Sequence, residues 1–120
     1  MKFILIIDDE KRWQDIISDC TTDAEEIEAG QTLIVHARTY AEGIFYLQTY
    51  KDLFIEVHID YQLSNRGDEE TGMDILEWLE NNPQFIPQNM DSCSGHPGHK
   101  MQMWNKMQEL KLIRLRNIHS

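Results

Sequence analysis

A chain of 120 residues is long enough for one domain with its own apolar core, and an apolar fraction of 41% is ordinary for a soluble protein. The net charge of −10 is spread unevenly: residues 1–92 carry 20 acids against 6 lysines and arginines, whereas residues 93–120 carry one acid against five. The acidic body disfavours a long nucleic acid, whose binding depends on neutralised phosphates. The basic C-terminal part can hold a small anion or a nucleotide end, or it can be a solvated helix face.

Targeting segments and disulfides are not indicated. The apolar run at residues 3–7 stops at two aspartates, which argues against a signal peptide, and no stretch approaches the ~20 apolar residues of a membrane span. Cys20 and Cys93 are far apart and have no metal-binding spacing. We expect a reduced, cytoplasmic protein that forms a single domain over residues 1–120.

The first half of the chain alternates strand and helix patterns. Residues 3–7 form a continuous apolar run, as expected of a strand buried on both faces. Residues 32–38 are rich in β-branched residues and predict a second strand. Thr39 and Glu42 have the spacing of a capping box, which predicts the start of a helix. Between the strands, four apolar residues at helical spacing predict a helix: Trp13, Ile16, Ile17 and Cys20.

The alternation continues in the second half. Residues 52–60 contain a third strand, and a capped helix begins at Thr71 and ends before Pro83. Residues 86–94 predict a weaker fourth strand. A loop over residues 95–98 leads into a last amphipathic helix, whose apolar residues are Met103, Trp104, Met107 and Leu110, with Met101 also expected in the core. Residues 112–118 alternate apolar and basic residues, so an edge strand and a helix end both remain open.

Strands that alternate with helices predict βαβ units, a parallel sheet and right-handed crossovers. We therefore predict a three-layer, doubly wound α/β domain with the flavodoxin-like strand order 2-1-3-4, and a fifth strand if residues 112–118 form one. Ligands of such sheets bind beyond the C-terminal ends of the strands, where the strand order reverses. In this order, that point lies between the first and third strands.

Three aspartates follow those two strands. Asp8 and Asp9 come directly after the first strand, and Asp60 comes at the end of the third. Carboxylates that converge repel one another unless a hard cation relieves them, and oxygen ligands with retained waters suit Mg²⁺. We predict a Mg²⁺ site at Asp8, Asp9 and Asp60, with Asp9 and Asp60 also orienting a water. Asp9 by itself can instead be the N-cap of the first helix.

The segment after the fourth strand has the groups that bind an anion. A hydroxyl, an ammonium and backbone N–H groups that open a helix suit phosphate, and glycine permits close approach of the backbone. The predicted phosphate-binding residues are Ser94, Gly95, Gly98 and Lys100.

Two histidines are candidates for acid–base catalysis. His96 lies within the predicted phosphate loop. His58 comes two residues before Asp60 and shares its face of the strand, although a hydrogen-bonded core histidine fits the same position.

These motifs resemble the cyclic-phosphate processing receiver-like family, an offshoot of the receiver domains of bacterial signalling. The family has Asp-Asp-Glu-Arg at residues 8–11 and Leu-Asp-His-Asp-Leu at residues 59–63. It also has Thr-Gly-Tyr-Asp at residues 71–74, and its His-Ser-x-Asn-Pro stretch falls at residues 93–97. Four residues depart from the family's pattern at its two histidine motifs: Tyr61 and Cys93 stand where it has histidines, Gln62 where it has aspartate and His96 where it has asparagine.

The resemblance implies a receiver-like fold and action on cyclic or terminal phosphates of nucleotides. Our main hypothesis is a phosphoesterase with a nucleotide or another phosphate-bearing small ligand. One alternative is a stand-alone receiver in which Asp60 accepts a phosphoryl group and Asp8 and Asp9 hold Mg²⁺. The other is a member without catalysis that binds a nucleotide or a protein partner.

Overall fold

Four parallel strands form the sheet of this protein, seen in a computed structural model that describes residues 2–8, 30, 32–61, 63, 70–92 and 97–119. The strand order is β2-β1-β3-β4, as predicted. The strands are β1 (Lys2–Ile7), β2 (Thr32–Ala37), β3 (Phe54–Ile59) and β4 (Met90–Ser92). The helices are α1 (Tyr40–Tyr50), α2 (Gly72–Asn81) and α3 (Pro97–His119), and short 3₁₀ turns occupy Lys51–Leu53 and Pro83–Phe85.

The main core lies on one face of this sheet. Alternate strand residues such as Leu5, Val57 and Ile59 point to this face, because successive side chains of a strand point to opposite sides. Each helix contributes fully buried apolar residues to the same cluster: Leu47 from α1, Ile75, Leu76 and Leu79 from α2, and Met103 and Leu110 from α3.

The opposite face of β1 is buried as well. Ile4 and Ile6 are fully buried there with Ile34 packed beside them, so β1 is covered on both faces, as its continuous apolar run predicts. The helix predicted around Trp13 and Cys20 lies outside the described residues.

Side-chain caps begin α1 and α2 where the sequence predicts. The Thr39 hydroxyl accepts the Glu42 backbone N–H at 3.1 Å, but the Glu42 carboxylate accepts from Arg38 N–H at 2.7 Å and so reaches one residue beyond the usual capping box. At α2, the Asp74 carboxylate accepts the Thr71 backbone N–H at 2.6 Å.

The last helix settles the alternative left open for the C-terminal segment. Residues 112–118 are helical, because Leu110 and Ile113 extend the helical spacing of Met103 and Met107 into the core. The described chain therefore has no fifth strand. Met101, expected in the core, is 60% exposed, since it lies on the other side of α3.

Two smaller expectations also change. Pro97 begins α3, where a proline fits the first turn, so Gly98 lies in the helix rather than in a loop. The fourth strand is shorter than residues 86–94. No helix in the described part of the chain is long and apolar enough to cross a membrane.

Candidate functional site

Asp8 and Asp60 follow neighbouring strands at one edge of the sheet. The Asp60 backbone N–H donates to the carbonyl of Ile7 at 2.9 Å, which places Asp60 beside the end of β1. Asp8 is 1% exposed, whereas Asp60 is only partly buried. The Asp60 carboxylate accepts the backbone N–H of Tyr61 at 2.9 Å. Two of the three predicted aspartates thus lie at the point where the strand order reverses.

The N-terminus of α2 approaches this point closely. The Gly72 backbone N–H donates to the carbonyl of Tyr61 at 2.7 Å. A Cβ on Gly72 would lie 2.1 Å from the Asp60 carbonyl oxygen and 2.8 Å from Cε of Met103. Only glycine allows this approach, which brings the positive end of the α2 dipole next to Asp60.

An aromatic stack connects α3 with the end of β3. The rings of Tyr61 and His99 are nearly parallel, with centroids 3.7 Å apart and an interplanar angle of 13°. His99 lies in the first turn of α3, so the long-range fold brings an imidazole to the residue that follows Asp60. The resemblance places a family histidine at the position of Tyr61, and the stack brings the imidazole of His99 against that position.

Further acids lie close to the start of α1. Burial raises the pKa of the Tyr40 phenol, and the charges of Glu70 and Asp74 raise it further. The phenol therefore stays protonated and can act as a hydrogen-bond donor near these carboxylates.

The carboxylates fit a hard divalent cation. Asp8 and Asp60 would supply oxygen ligands from two strand ends, and Mg²⁺ is bound in proteins by one or two carboxylates with retained waters. The described residues contain no group of three or more candidate metal ligands, and the third predicted ligand, Asp9, lies outside them.

His58 and His36 each have a partner in the sheet. His58 is 2% exposed, and its Nε2–H donates to the Glu56 carboxylate at 3.0 Å. Glu56 lies toward the start of β3, away from Asp60, so this arrangement fits the core-histidine alternative. The Nε2–H of His36 donates to the carbonyl of Asp8 at 2.7 Å and helps to hold the end of β1.

The predicted phosphate-binding residues are only partly visible. Gly98 and Lys100 are exposed in the first turn of α3, next to His99. Ser94, Gly95 and His96 lie outside the described residues. Gln62 and Cys93 do too, so three of the four departures at the histidine motifs are not described.

The sequence patterns do not single out three residues of this region, which are Tyr40, Glu70 and His99. The available signal was position, because Tyr40 follows β2 and His99 follows β4, at the same edge of the sheet as Asp8 and Asp60.

A parallel sheet of this order with acids at the ends of β1 and β3 defines a receiver-like domain. The profile of the cyclic-phosphate processing receiver domain matches residues 3–109, and the chain belongs to that family.

Comparison with solved structures supports the fold. The chain is similar to the signal receiver domain of a putative Luxo repressor protein from Vibrio parahaemolyticus, with a TM-score of 0.59 and 14% identity. The match covers 99% of this chain and 97% of that one. Comparison with curated proteins found no match.

Proposed function

We propose that this domain binds a phosphate-bearing nucleotide at the ends of β1 and β3 and hydrolyses a cyclic or terminal phosphate ester there. The observation that best supports the proposal is the stack of His99 on Tyr61. It puts an imidazole against the residue that follows Asp60, at the position where the resemblance places a family histidine. Imidazoles suit this reaction because they exchange protons near neutral pH.

The aspartates would hold the cation, and α3 would hold the phosphate. Asp8 and Asp60, with Asp9, are the proposed Mg²⁺ ligands. Bound Mg²⁺ would neutralise charge on the phosphate oxygens. The α3 residues Lys100 and Gly98 would contact phosphate oxygens from the first turn of the helix, and Ser94 and Gly95 would donate further hydrogen bonds to them.

The histidines would move the protons. Water attacks phosphorus and one P–O ester bond breaks, so the cyclic diester becomes a monoester with a free hydroxyl. One imidazole takes the proton of the attacking water, and a second acid protonates the leaving oxygen. We assign these roles to His99 and His96. His58, held by Glu56, is included as a third candidate.

Turnover assays test the proposal. The protein is incubated with 2′,3′- and 3′,5′-cyclic nucleotides and with phosphorylated RNA ends, with and without Mg²⁺. We expect hydrolysis that Asp60→Asn and His96→Ala abolish and that His99→Gln lowers about 100-fold. Gln102→Ala is the matched control, because Gln102 is exposed on the same helix and should leave turnover unchanged. Absence of turnover, or turnover that survives Asp60→Asn, contradicts the proposal.

A second candidate is a receiver in which Asp60 accepts a phosphoryl group. It is favoured by the position of Asp60, which is partly buried, follows β3 and bonds through its backbone N–H to Ile7, the residue before Asp8. Treatment with acetyl phosphate and Mg²⁺ followed by intact-mass measurement separates the two. One added phosphoryl group that Asp60→Asn removes supports the receiver. If nucleotides raise the melting temperature yet emerge unchanged, the domain binds without catalysis.

A further inference from the structure

An apolar stripe runs along the outer side of α3. Six positions follow the alternating 3-4-3-4-3 spacing of a coiled-coil seam, and four of them are apolar side chains that are half exposed or more. The core-facing residues Met103, Met107 and Leu110 lie on another side of the helix. We call the stripe the outer seam; its residues are Met101, Trp104, Gln108, Lys111, Leu115 and Ile118.

The outer seam extends past the domain that supports α3. Ile113 is the last residue of the helix that packs against the core, and residues 115–118 are all exposed. Leu115 is 50% exposed and Ile118 is 56% exposed. The apolar side chains of this overhang keep about half of their surface exposed, and a partner would bury it.

The sheet edge beside α3 does not favour an added strand. The Val57 N–H donates to the carbonyl of Asn89, so by strand alternation the Ser92 N–H points away from β3. The Asp91 carboxylate accepts that Ser92 N–H at 2.8 Å. The edge strand has only three residues, and one of its outward donors is already satisfied, as in other protected edges. The spacing of the outer seam and the protected sheet edge therefore favour a helix over a strand as the partner.

We propose that the outer seam pairs with the outer seam of a second copy of this chain, in antiparallel orientation, about a two-fold axis between residues 109 and 110. In this arrangement, Trp104 faces the partner's Leu115 and Met101 faces the partner's Ile118. Gln108 faces the partner's Lys111, so the polar positions meet each other and no charge opposes an apolar group. Such self-complementarity is what a two-fold interface requires.

Charge and helix orientation favour the antiparallel arrangement over a parallel one. A parallel pair would set Lys111 against the partner's Lys111, and it would align the two helix dipoles. The antiparallel pair places each overhang on the first turns of the partner's helix. Three outer-seam residues, Trp104, Gln108 and Lys111, line a groove that also contains the carboxylates of Glu56 and Asp91. These two carboxylates offset the charge of Lys111 in the same chain as well as that of the partner's Lys111, which faces Gln108.

An anionic membrane surface fits the same face less well. Residues 1–92 are strongly acidic, and the groove carboxylates would be pressed against the lipid charges. One helical seam is a small interface, so we expect a dissociation constant on the order of 10 μM.

Sedimentation velocity measures the monomer–dimer equilibrium at protein concentrations from about 1 to 200 μM, a range that includes the expected dissociation constant. We expect the wild-type protein to shift from monomer to dimer, and Leu115→Glu to raise the dissociation constant at least about 30-fold. Gln102→Glu adds the same charge at an exposed site away from the outer seam and should change it less than about twofold. Circular dichroism checks that both variants keep their helix content, which the exposure of both sites predicts.

Cross-linking tests the orientation, with Cys20 and Cys93 replaced by serine. A mixture of the Trp104→Cys and Leu115→Cys proteins should form a disulfide-linked heterodimer, whereas Leu115→Cys alone should not link to itself. Self-linking at position 115 would overturn the antiparallel pairing. A protein that stays monomeric at every concentration, a dimer that Leu115→Glu leaves intact, or a monomer that sediments with phosphatidylserine vesicles would overturn the proposal as a whole.

Discussion

At the scale of single residues, Gly72 determines how closely α2 approaches the candidate site. Its missing side chain leaves room for the Asp60 carbonyl oxygen and for Met103. The bond from its N–H to the Tyr61 carbonyl then holds the helix against the end of β3. Asp60 and Tyr61 thus owe their positions to a residue that carries no functional group.

We expect Gly72→Ala to destabilise the fold by about 2–3 kcal/mol, because backbone atoms cannot move aside as side chains can. Urea unfolding measures this. Gly43→Ala is the control: its Cβ would meet only the ends of Ile7 and Ile75 side chains at 3.0–3.2 Å, and alanine is favoured within a helix. Equal losses of unfolding free energy in both variants would show that the close contact at Gly72 does not cause the loss of stability.

The pKa of the Tyr40 phenol depends on burial and on the charges in the same region. Burial comes first among the causes that raise its pKa, and the charges of Glu70 and Asp74 add to it. The folded protein therefore holds this proton above the ordinary tyrosine pKa of about 10, where the unfolded chain releases it.

Stability that comes from the Tyr40 proton is present below pH 10 and is lost as the pH rises through the folded-state pKa. We expect the wild-type protein to lose more stability than Tyr40→Phe over this alkaline range. Tyrosinate absorbance followed against pH should show a late-titrating phenol that Tyr40→Phe removes. If that phenol persists in Tyr40→Phe, another tyrosine has the raised pKa.

At the scale of elements, α2 is held at both ends by polar contacts. The Asp74 carboxylate caps its first turn through Thr71. Near its other end, Glu80 pairs with Lys106 of α3, and this hydrogen bond is the largest cause of the raised pKa of Lys106. The cap and the pair orient the two helices that border the candidate site.

We expect Asp74→Ala to cost about 1 kcal/mol, the usual value of a helix cap, and to lower the pKa of Tyr40 because one neighbouring charge is lost. Chemical denaturation and the tyrosinate titration measure the two effects. Glu77→Ala, at an exposed position of α2, is the matched control and should leave both nearly unchanged. If Asp74→Ala lowers the stability but leaves the pKa of Tyr40 unchanged, Asp74 stabilises the helix without affecting the phenol.

At the scale of the whole molecule, Met103 links the core with the site. It is fully buried, its Sδ accepts the Ser92 hydroxyl at 3.6 Å, and its Cε lies beneath Gly72. One side chain therefore contacts the end of β4 and lies against the start of α2.

Met103→Ala should destabilise the protein by about 2–5 kcal/mol, the cost of a cavity in a packed core. Met101→Ala removes the same atoms from a side chain that is 60% exposed, and should cost less than about 0.5 kcal/mol. Thermal or urea unfolding compares the pair. Similar losses in the two variants would contradict the placement of the core on one side of α3.

The sequence by itself predicted the alternating strands and helices and the aspartates after β1 and β3, because periodicity and strand ends are local properties. The parallel sheet and its order 2-1-3-4 were predicted from the general rules for βαβ units and flavodoxin-like sheets. The sequence also predicted the caps at Thr39 and Thr71. It could not distinguish the two sides of α3, since Met101 and Met103 are equally apolar and only packing decides which is buried.

The tertiary structure alone decided the contacts between distant segments. Tyr61 and His99 are far apart in the chain, and their stack forms only because α3 begins where β3 ends. The approach of Gly72 to Asp60 depends in the same way on positions that no sequence period encodes. A sequence pattern specifies which face of an element is buried, but not which atoms of another element meet it.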